Sequence, residues 1–262
     1  MKRRVAALML AVLIAAAALI VMLPGARYDT QDREAIMTGA THQHWMGTDA
    51  LGRDRSVRVA AALLLGLGGA ASAALVTTAI ATGVGALAAF SSSAVAWVLM
   101  LASDLFLSLP WLFLLMMVRS FLPLTTSQLD SAVVTFTVLA ALGWPACARA
   151  VYRGTLNLRS ADWMIQGRAS GLRTTQLFRR HLLPHLRPLL IPQFLIWVPA
   201  FIVAEANLGT LGLGIADPLP SWGAMLQELD NSASLALSHW VYLPIAVLIV
   251  VLLLLESLSA EV

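Results

Sequence analysis

Charge is scarce in this sequence: Asp, Glu, Lys and Arg make up 12% of its 262 residues, while apolar residues make up 59%. Soluble domains carry about 25% charged and about 45 to 50% apolar residues. A water-exposed globular surface is therefore excluded, and the chain reads as an integral membrane protein. Cysteine is nearly absent. The single Cys147 can form no intrachain disulfide and no thiolate metal cluster, and it sits in an apolar run as a small core residue. No Gly-x-x-x-x-Gly-Lys-Ser/Thr segment occurs, so the chain has no loop of its own to cradle nucleotide phosphates. The basic residues are not interleaved with aromatics, and a net charge of +3 does not point to nucleic acid.

Long apolar runs are what the chain has in plenty. They cover residues 5–23, 59–90, 94–118, 131–151, 188–206 and 238–258. At about 1.5 Å per residue, each can cross a hydrocarbon core of about 30 Å. The expected fold is an all-α polytopic membrane protein of about six transmembrane helices. The run at 59–90 is read as one helix, with an interfacial start near 58–67 and with Gly66, Gly68, Gly69, Gly83 and Gly85 as close-packing positions. The first run is read as a retained helix, because its apolar stretch exceeds the 7 to 15 residues usual for a cleaved signal.

Basic residues near the span ends set the orientation. Lys2, Arg3 and Arg4 precede the first run, and Arg153, Arg159, Arg168, Arg173, Arg179, Arg180 and Arg187 lie between the fourth and fifth. Both termini are thus expected in the cytoplasm, opposite Asp29, Asp32, Glu34, Asp49, Asp54, Asp130, Asp217, Glu228 and Asp230. The expected organisation is an N-terminal helix at 1–23, an external polar segment at 24–57 and a transmembrane core at 58–262. Within that core, a cytoplasmic loop lies at 152–187 and an external loop at 207–237.

The cytoplasmic loop has helix signals. Asp162 suits an N-cap, and Gly171 a left-handed stop after Ser170. Thr174 or Thr175 then starts a second helix that reaches Leu183 and ends at Pro184. Trp163, Met164, Ile165 and Leu172 ringed by arginines suit a protein interface, or alternatively a surface helix held on headgroups. In the third run, Asp104 should face other helices or a water-filled path, since a carboxylate at membrane depth costs about 2.5 to 3.5 kcal/mol. Its partner is expected to be Ser103, Ser108, another chain or a cationic solute group. Pro110 should kink that span. Arg149, Tyr152 and Arg153 suit the interfacial belt. Pro188, Pro192 and Pro199 predict a bent fifth span leading to Glu205.

Outside, Gly47 and Gly52 allow turns while Asp49, Arg53 and Asp54 pair. His42, His44 and Asp49 invite a metal, but a pair two residues apart converges only in an extended strand and no third ligand is fixed, so no metal site is assigned. Two rivals remain open. A proton-coupled transporter would use Asp104, Glu205 and Glu256 as a relay, and a membrane metalloenzyme would use the two histidines.

Several of these strings resemble one family. Gly47-Thr48-Asp49-Ala50-Leu51-Gly52-Arg53-Asp54, the Asp104 to Pro110 stretch, Gly143-Trp144-Pro145, the Glu205 to Gly214 segment and Ser221-Trp222-Gly223-Ala224-Met225-Leu226 are similar to signatures of ABC-transporter permeases of the dipeptide, oligopeptide and nickel importers. Gly171 and Leu183-Pro184 fit the cytoplasmic dock of that family, with Ile165, Gln166 and Gly167 where it carries Glu-Ala-Ala. The resemblance implies a permease subunit in the bacterial inner membrane. It pairs with a second permease, two ATPase subunits that use ATP and Mg, and an external solute-binding protein. The chain itself would bind no cofactor and catalyse nothing. The resemblance also implies ATPase coupling through Asp162, Trp163, Ile165, Gln166, Gly167, Arg168, Gly171, Leu183 and Pro184. It places Asp104, Pro110, Glu205, Gly212 and Gly214 along the path or gate. The altered triplet leaves open a weakly coupled paralogue, or a chain in which Asp162 replaces the missing acid.

Overall fold

A computed structural model of the chain describes residues 2–121, 127–230 and 239–260. In order, the helices are α1 (Lys2–Met22), α2 (Arg55–Phe90), α3 (Ser93–Ser108), α4 (Trp111–Ser120), α5 (Gln128–Arg159), α6 (Asp162–Ala169) and α7 (Thr174–Leu177). A π turn (Phe178–Leu182), α8 (Leu183–Thr210), α9 (Trp222–Gln227), two 3-10 turns (Glu228–Asp230, His239–Tyr242) and α10 (Leu243–Ser259) complete the described chain. Five helices are long and apolar enough to cross a membrane, and the bent α3–α4 pair makes a sixth if it counts as one span. The all-α, six-span expectation holds. Residues 231–237 of the expected 207–237 loop lie outside the described residues.

Asp54 starts α2. Its Oδ1 accepts from the Ser56 N–H at 2.7 Å and the Val57 N–H at 3.3 Å, satisfying donors that the first turn leaves free. The 36 residues of α2 then run about 54 Å at about 1.5 Å each. The helix is unbroken from Arg55, so the expected boundary at 57/58 falls inside it, and its first turn is buried within the chain. Small residues set its packing. A Cβ on Gly66 would meet Trp222 at 2.8 Å, one on Gly69 would meet Phe136 at 2.1 Å, and one on Gly85 the Ala148 carbonyl at 2.6 Å. Gly68 and Gly83 have nothing of this chain within 4 Å.

The main core joins α2, α5 and α8 with α1, α9 and α10 through residues such as Ala70, Leu139, Phe201, Trp222 and Val251. Ala17 of α1 belongs to it, so α1 packs against the other spans. A second cluster joins the far ends of α2 and α5 to Met164, Leu177, Leu182 and Leu186. The bundle thus has two polar ends: a cap end holding residues 23–54 and 211–230, and an arginine-rich end holding residues 160–182.

Two prolines act differently from expectation. Pro110 does more than kink its span: α3 and α4 meet at 89°. Pro110 has no N–H for the Phe106 carbonyl, which accepts only a long 3.4 Å bond from Leu109, and the helix stops. Pro184, in contrast, stops nothing. The helix continues through it because the preceding turn is a π turn, in which the Leu183 N–H bonds back to the Phe178 carbonyl. That wider turn relieves the crowding a proline ring brings to the carbonyl four residues earlier. Thr174–Thr210 is therefore one continuous helical run, long and apolar enough to cross a membrane.

Candidate functional site

At the arginine-rich end, α6 lies across the bundle with one face in and one out. Met164 is fully buried among Leu177, Leu182 and Cys147, which corrects its reading as an outward anchor. Asp162, Ile165, Gln166 and Ala169 are exposed and recur at helical spacing along one stripe. Ala161 is the N-cap and Asp162 the first helical residue, so Asp162 does not cap but still favours the positive helix start. Gly171 has φ +77° and closes α6: its N–H bonds the Arg168 carbonyl at 3.0 Å and the Leu172 N–H the Gly167 carbonyl at 3.2 Å, the pairing of a Schellman cap. A Cβ on Gly167 would lie 2.7 Å from the end of Leu177, so the third triplet position is where the following helix packs against α6.

Two arginines hold the far end of α2. Arg159 donates to the Ala89 carbonyl at 2.6 Å, and the Arg168 guanidinium sits 5.8 Å from the Phe90 ring. Both cations complement the negative C-terminus of that helix. Trp163 stacks on His185 with ring centroids 4.2 Å apart and planes at 14°. The arm is thus fixed to the bundle by Met164, Trp163, Arg159 and Arg168. Its outer stripe, together with Arg173, Arg179 and Arg180, is exposed.

Toward the arginine-rich half of the bundle, where Cys147, Ala148 and Val151 of α5 belong to the second core cluster, Asp104 of α3 pairs with Arg149 of α5. Ser103 and Ser108, the partners expected for Asp104 within the chain, bond the Leu99 and Leu105 carbonyls instead. Both side chains stay partly exposed, at 46% and 37%. Ser108, Leu109 and Pro110 at the break are exposed one turn away.

The cap end brings together two segments far apart in sequence. The buried Asp49 carboxylate accepts from the Leu51 N–H at 2.9 Å, the Arg53 N–H at 2.8 Å and the Arg53 Nε at 2.6 Å. Arg58, 1% exposed, places its Nε 3.6 Å from the same carboxylate and its Nη2 3.7 Å from Asp217. Arg55 pairs with Glu228 at 3.2 Å. Burial pushes the Glu228 carboxyl above its ordinary range, against the pull of Arg55. Asp54 does not pair with Arg53; it caps α2 and meets His44 Nδ1 at 2.8 Å. Among the described residues no group of three His, Cys, Asp or Glu side chains is arranged to hold a metal. Thr48 is buried and accepts from the Thr38 N–H at 3.0 Å.

Glu205 lies beneath this cap, 1% exposed. It faces the Ser221 side chain and the N–H groups of Trp222 and Gly223 without closing a hydrogen bond to any described group. The approach is close because α8 and α9 touch through glycine: a Cβ on Gly209 would lie 2.4 Å from the Gly223 Cα, and one on Gly214 2.5 Å from the Gly209 Cα. Gly212, at φ +74°, ends α8. The next turn is fixed by Arg119, whose Nε donates to the Leu213 carbonyl at 3.0 Å and whose Nη2 reaches Ser131 Oγ at 3.1 Å. Glu256 is exposed on α10, and no hydrogen bond links Asp104, Glu205 and Glu256 among the described residues. Sequence reasoning missed Arg55, Arg58 and Arg119. The signal available was an arginine placed inside or at the end of an apolar run, where it needs an acid or carbonyl partner.

A bundle of membrane-length helices with a broken span, a folded polar cap and an exposed arm has the architecture of a multi-pass membrane protein. A model of the family described as binding-protein-dependent transport system inner membrane component matches residues 81–261, and the chain belongs to that family. The oligopeptide transport system permease protein OppC of Mycobacterium tuberculosis is 30% identical over 257 residues, covering 97% of this chain and 85% of that protein. The dipeptide transport system permease protein DppC of Bacillus subtilis is 30% identical over 197 residues, covering 75% of this chain and 59% of that protein.

Proposed function

We propose that the chain is one permease subunit of an ATP-driven ABC importer for peptides or chemically similar solutes. It forms half of the path, and a second permease subunit supplies the other half. Two ATPase subunits, which use ATP and Mg, dock at the arginine-rich end, and a solute-binding protein docks at the cap end. Both termini then lie in the cytoplasm, in accord with the basic residues on that side. The peptide assignment rests on the two relatives named above.

The observation that carries this reading is the two-faced α6. A docking element must be exposed on one side and stiffly joined to the spans on the other. Met164 and the Trp163–His185 stack join it to α8, and the Asp162, Ile165 and Gln166 stripe is open. Closure of an ATPase pair against that stripe would move α6 and α8 together, and the bundle would alternate between inward and outward openings. Where the family carries Glu-Ala-Ala, this stripe offers an apolar Ile165 with Asp162 one turn earlier.

Purification of the chain from its native membrane in mild detergent tests the proposal. A second permease and ATPase chains are expected to come with it, and ATP-dependent peptide uptake is expected after reconstitution. Recovery of a working transporter with no ATPase would overturn it.

A further inference from the structure

The α3–α5 face combines two features that hydrocarbon does not tolerate. Asp104 and Arg149 pair with one another, but their side chains remain 46% and 37% exposed on the bundle surface, where charge belongs against protein or water. One helical turn on, the backbone breaks by 89°, and Ser108, Leu109 and Pro110 are exposed. Non-helical backbone at membrane depth persists only where protein buries it or water lines it. Around these polar groups the wall is apolar: Leu101, Leu105 and Phe113 are 40%, 60% and 70% exposed. Protein or water must therefore cover these groups when the bundle lies in a membrane. A broken helix next to an ion pair is also where transporters build solute sites.

We infer that Asp104, Arg149 and the 108–110 break form a polar station in the translocation path, at which the ammonium and carboxylate ends of a zwitterionic solute exchange with the ion pair. A solute carrying both charges takes over both partners, leaving neither charge unpaired. A neutral solute must separate them without compensation, and a singly charged one satisfies only one. The station thus favours solutes with both charges, and it has a polarity because the acid is on α3 and the base on α5. This inference rests on the importer reading above.

Thiol labelling tests it in the complete transporter reconstituted with its partner permease, ATPases and binding protein. In a Cys147→Ser background, Leu105→Cys and Ser108→Cys are each exposed to a charged, membrane-impermeant methanethiosulfonate. Both are expected to label, and dialanine with ATP is expected to slow labelling at least about threefold. Labelling only by a lipid-soluble maleimide, or none by either reagent, overturns the station. In parallel, Asp104→Asn is expected to lower dialanine uptake at least about tenfold. The exchanged pair Asp104→Lys with Arg149→Asp, scored in complexes that still contain the ATPases, should stay as low, because the charges then face the solute in reverse order. Uptake restored to the parent level by the exchange would make the pair purely structural and overturn the inference. Wild-type protein that shows no ATP-dependent uptake would instead defeat the importer reading, a result separable from loss of labelling alone.

Discussion

Gly52 meets two demands at once. Its φ is +73°, and a Cβ there would lie 1.9 Å from the Asp32 carbonyl oxygen. Left-handed backbone alone costs a non-glycine residue about 1 to 3 kcal/mol, and here the obstacle is backbone and cannot rotate away. Gly52→Ala is expected to lower stability by at least about 2 kcal/mol, read as the unfolding midpoint of the purified transporter in detergent. Asp49 has a different sensitivity. It is 1% exposed in its ion pairs with Arg53 and Arg58, so Asp49→Ala leaves two buried guanidinium groups with only the largely exposed Asp217, at 3.5 and 3.7 Å, and is expected to cost about 3 kcal/mol. The same measurement applies, and a loss below about 1 kcal/mol would contradict the buried-pair description. Neither effect follows from residue type alone, since spacing gives Gly52 a turn but not the Asp32 carbonyl that presses on it.

Among the elements, α6 is the one whose two faces separate cleanly by substitution. Gly167→Ala reintroduces the alanine usual in the family's triplet. It gains up to about 1 kcal/mol of helix preference and must shift only the flexible end of Leu177, so uptake is expected within about twofold of the parent. Gly167→Phe displaces Leu177 and its neighbours from the second core cluster. Loss of co-purifying ATPase is expected, with membrane insertion retained, as checked by subunit stoichiometry. Asp162→Ala tests whether this acid stands in for the missing glutamate: weaker ATPase association is expected, and unchanged association and uptake, with Arg168→Ala harmful, would reject that role. The α6 cap was legible in advance because Gly171 sits where a short polar helix must stop. The end of the next helix was not, because Pro184 is a stop signal only after a regular α turn. The π turn at Phe178–Leu182 has no sequence pattern that announces it. Likewise, Asp104 could be read as needing a partner, but its pairing with Arg149 depends on how α3 crosses α5.

For the whole molecule, charge among the described residues gathers at the two ends and in the Asp104–Arg149 pair between them, and the cap end is where pH should register. Burial raises the Glu228 carboxyl above its ordinary value of 4.5. A carboxyl whose folded value exceeds its unfolded one contributes stability fully below the unfolded value and loses it as pH rises through the folded value. The difference in unfolding midpoint between parent and Glu228→Gln is therefore expected to move against the parent as pH climbs from below 4.5 through that raised range. A difference independent of pH would contradict the burial of this group. The broad architecture was readable from apolar run lengths, whereas the meeting of residues 49–58 with 217–228 was not, because it joins segments separated by four spans and carries no local periodicity. One further consequence concerns the span Thr174–Thr210. Its 37 residues make a rod about 55 Å long at about 1.5 Å per residue, with Trp163 stacked on His185 near one end and the Gly209–Gly223 crossing at the other. Pro188, Pro192 and Pro199 lie between and concentrate its bending compliance away from both anchors. A tilt of about 10° about one anchor would carry the other end of that length through about 10 Å, about the width of a helix.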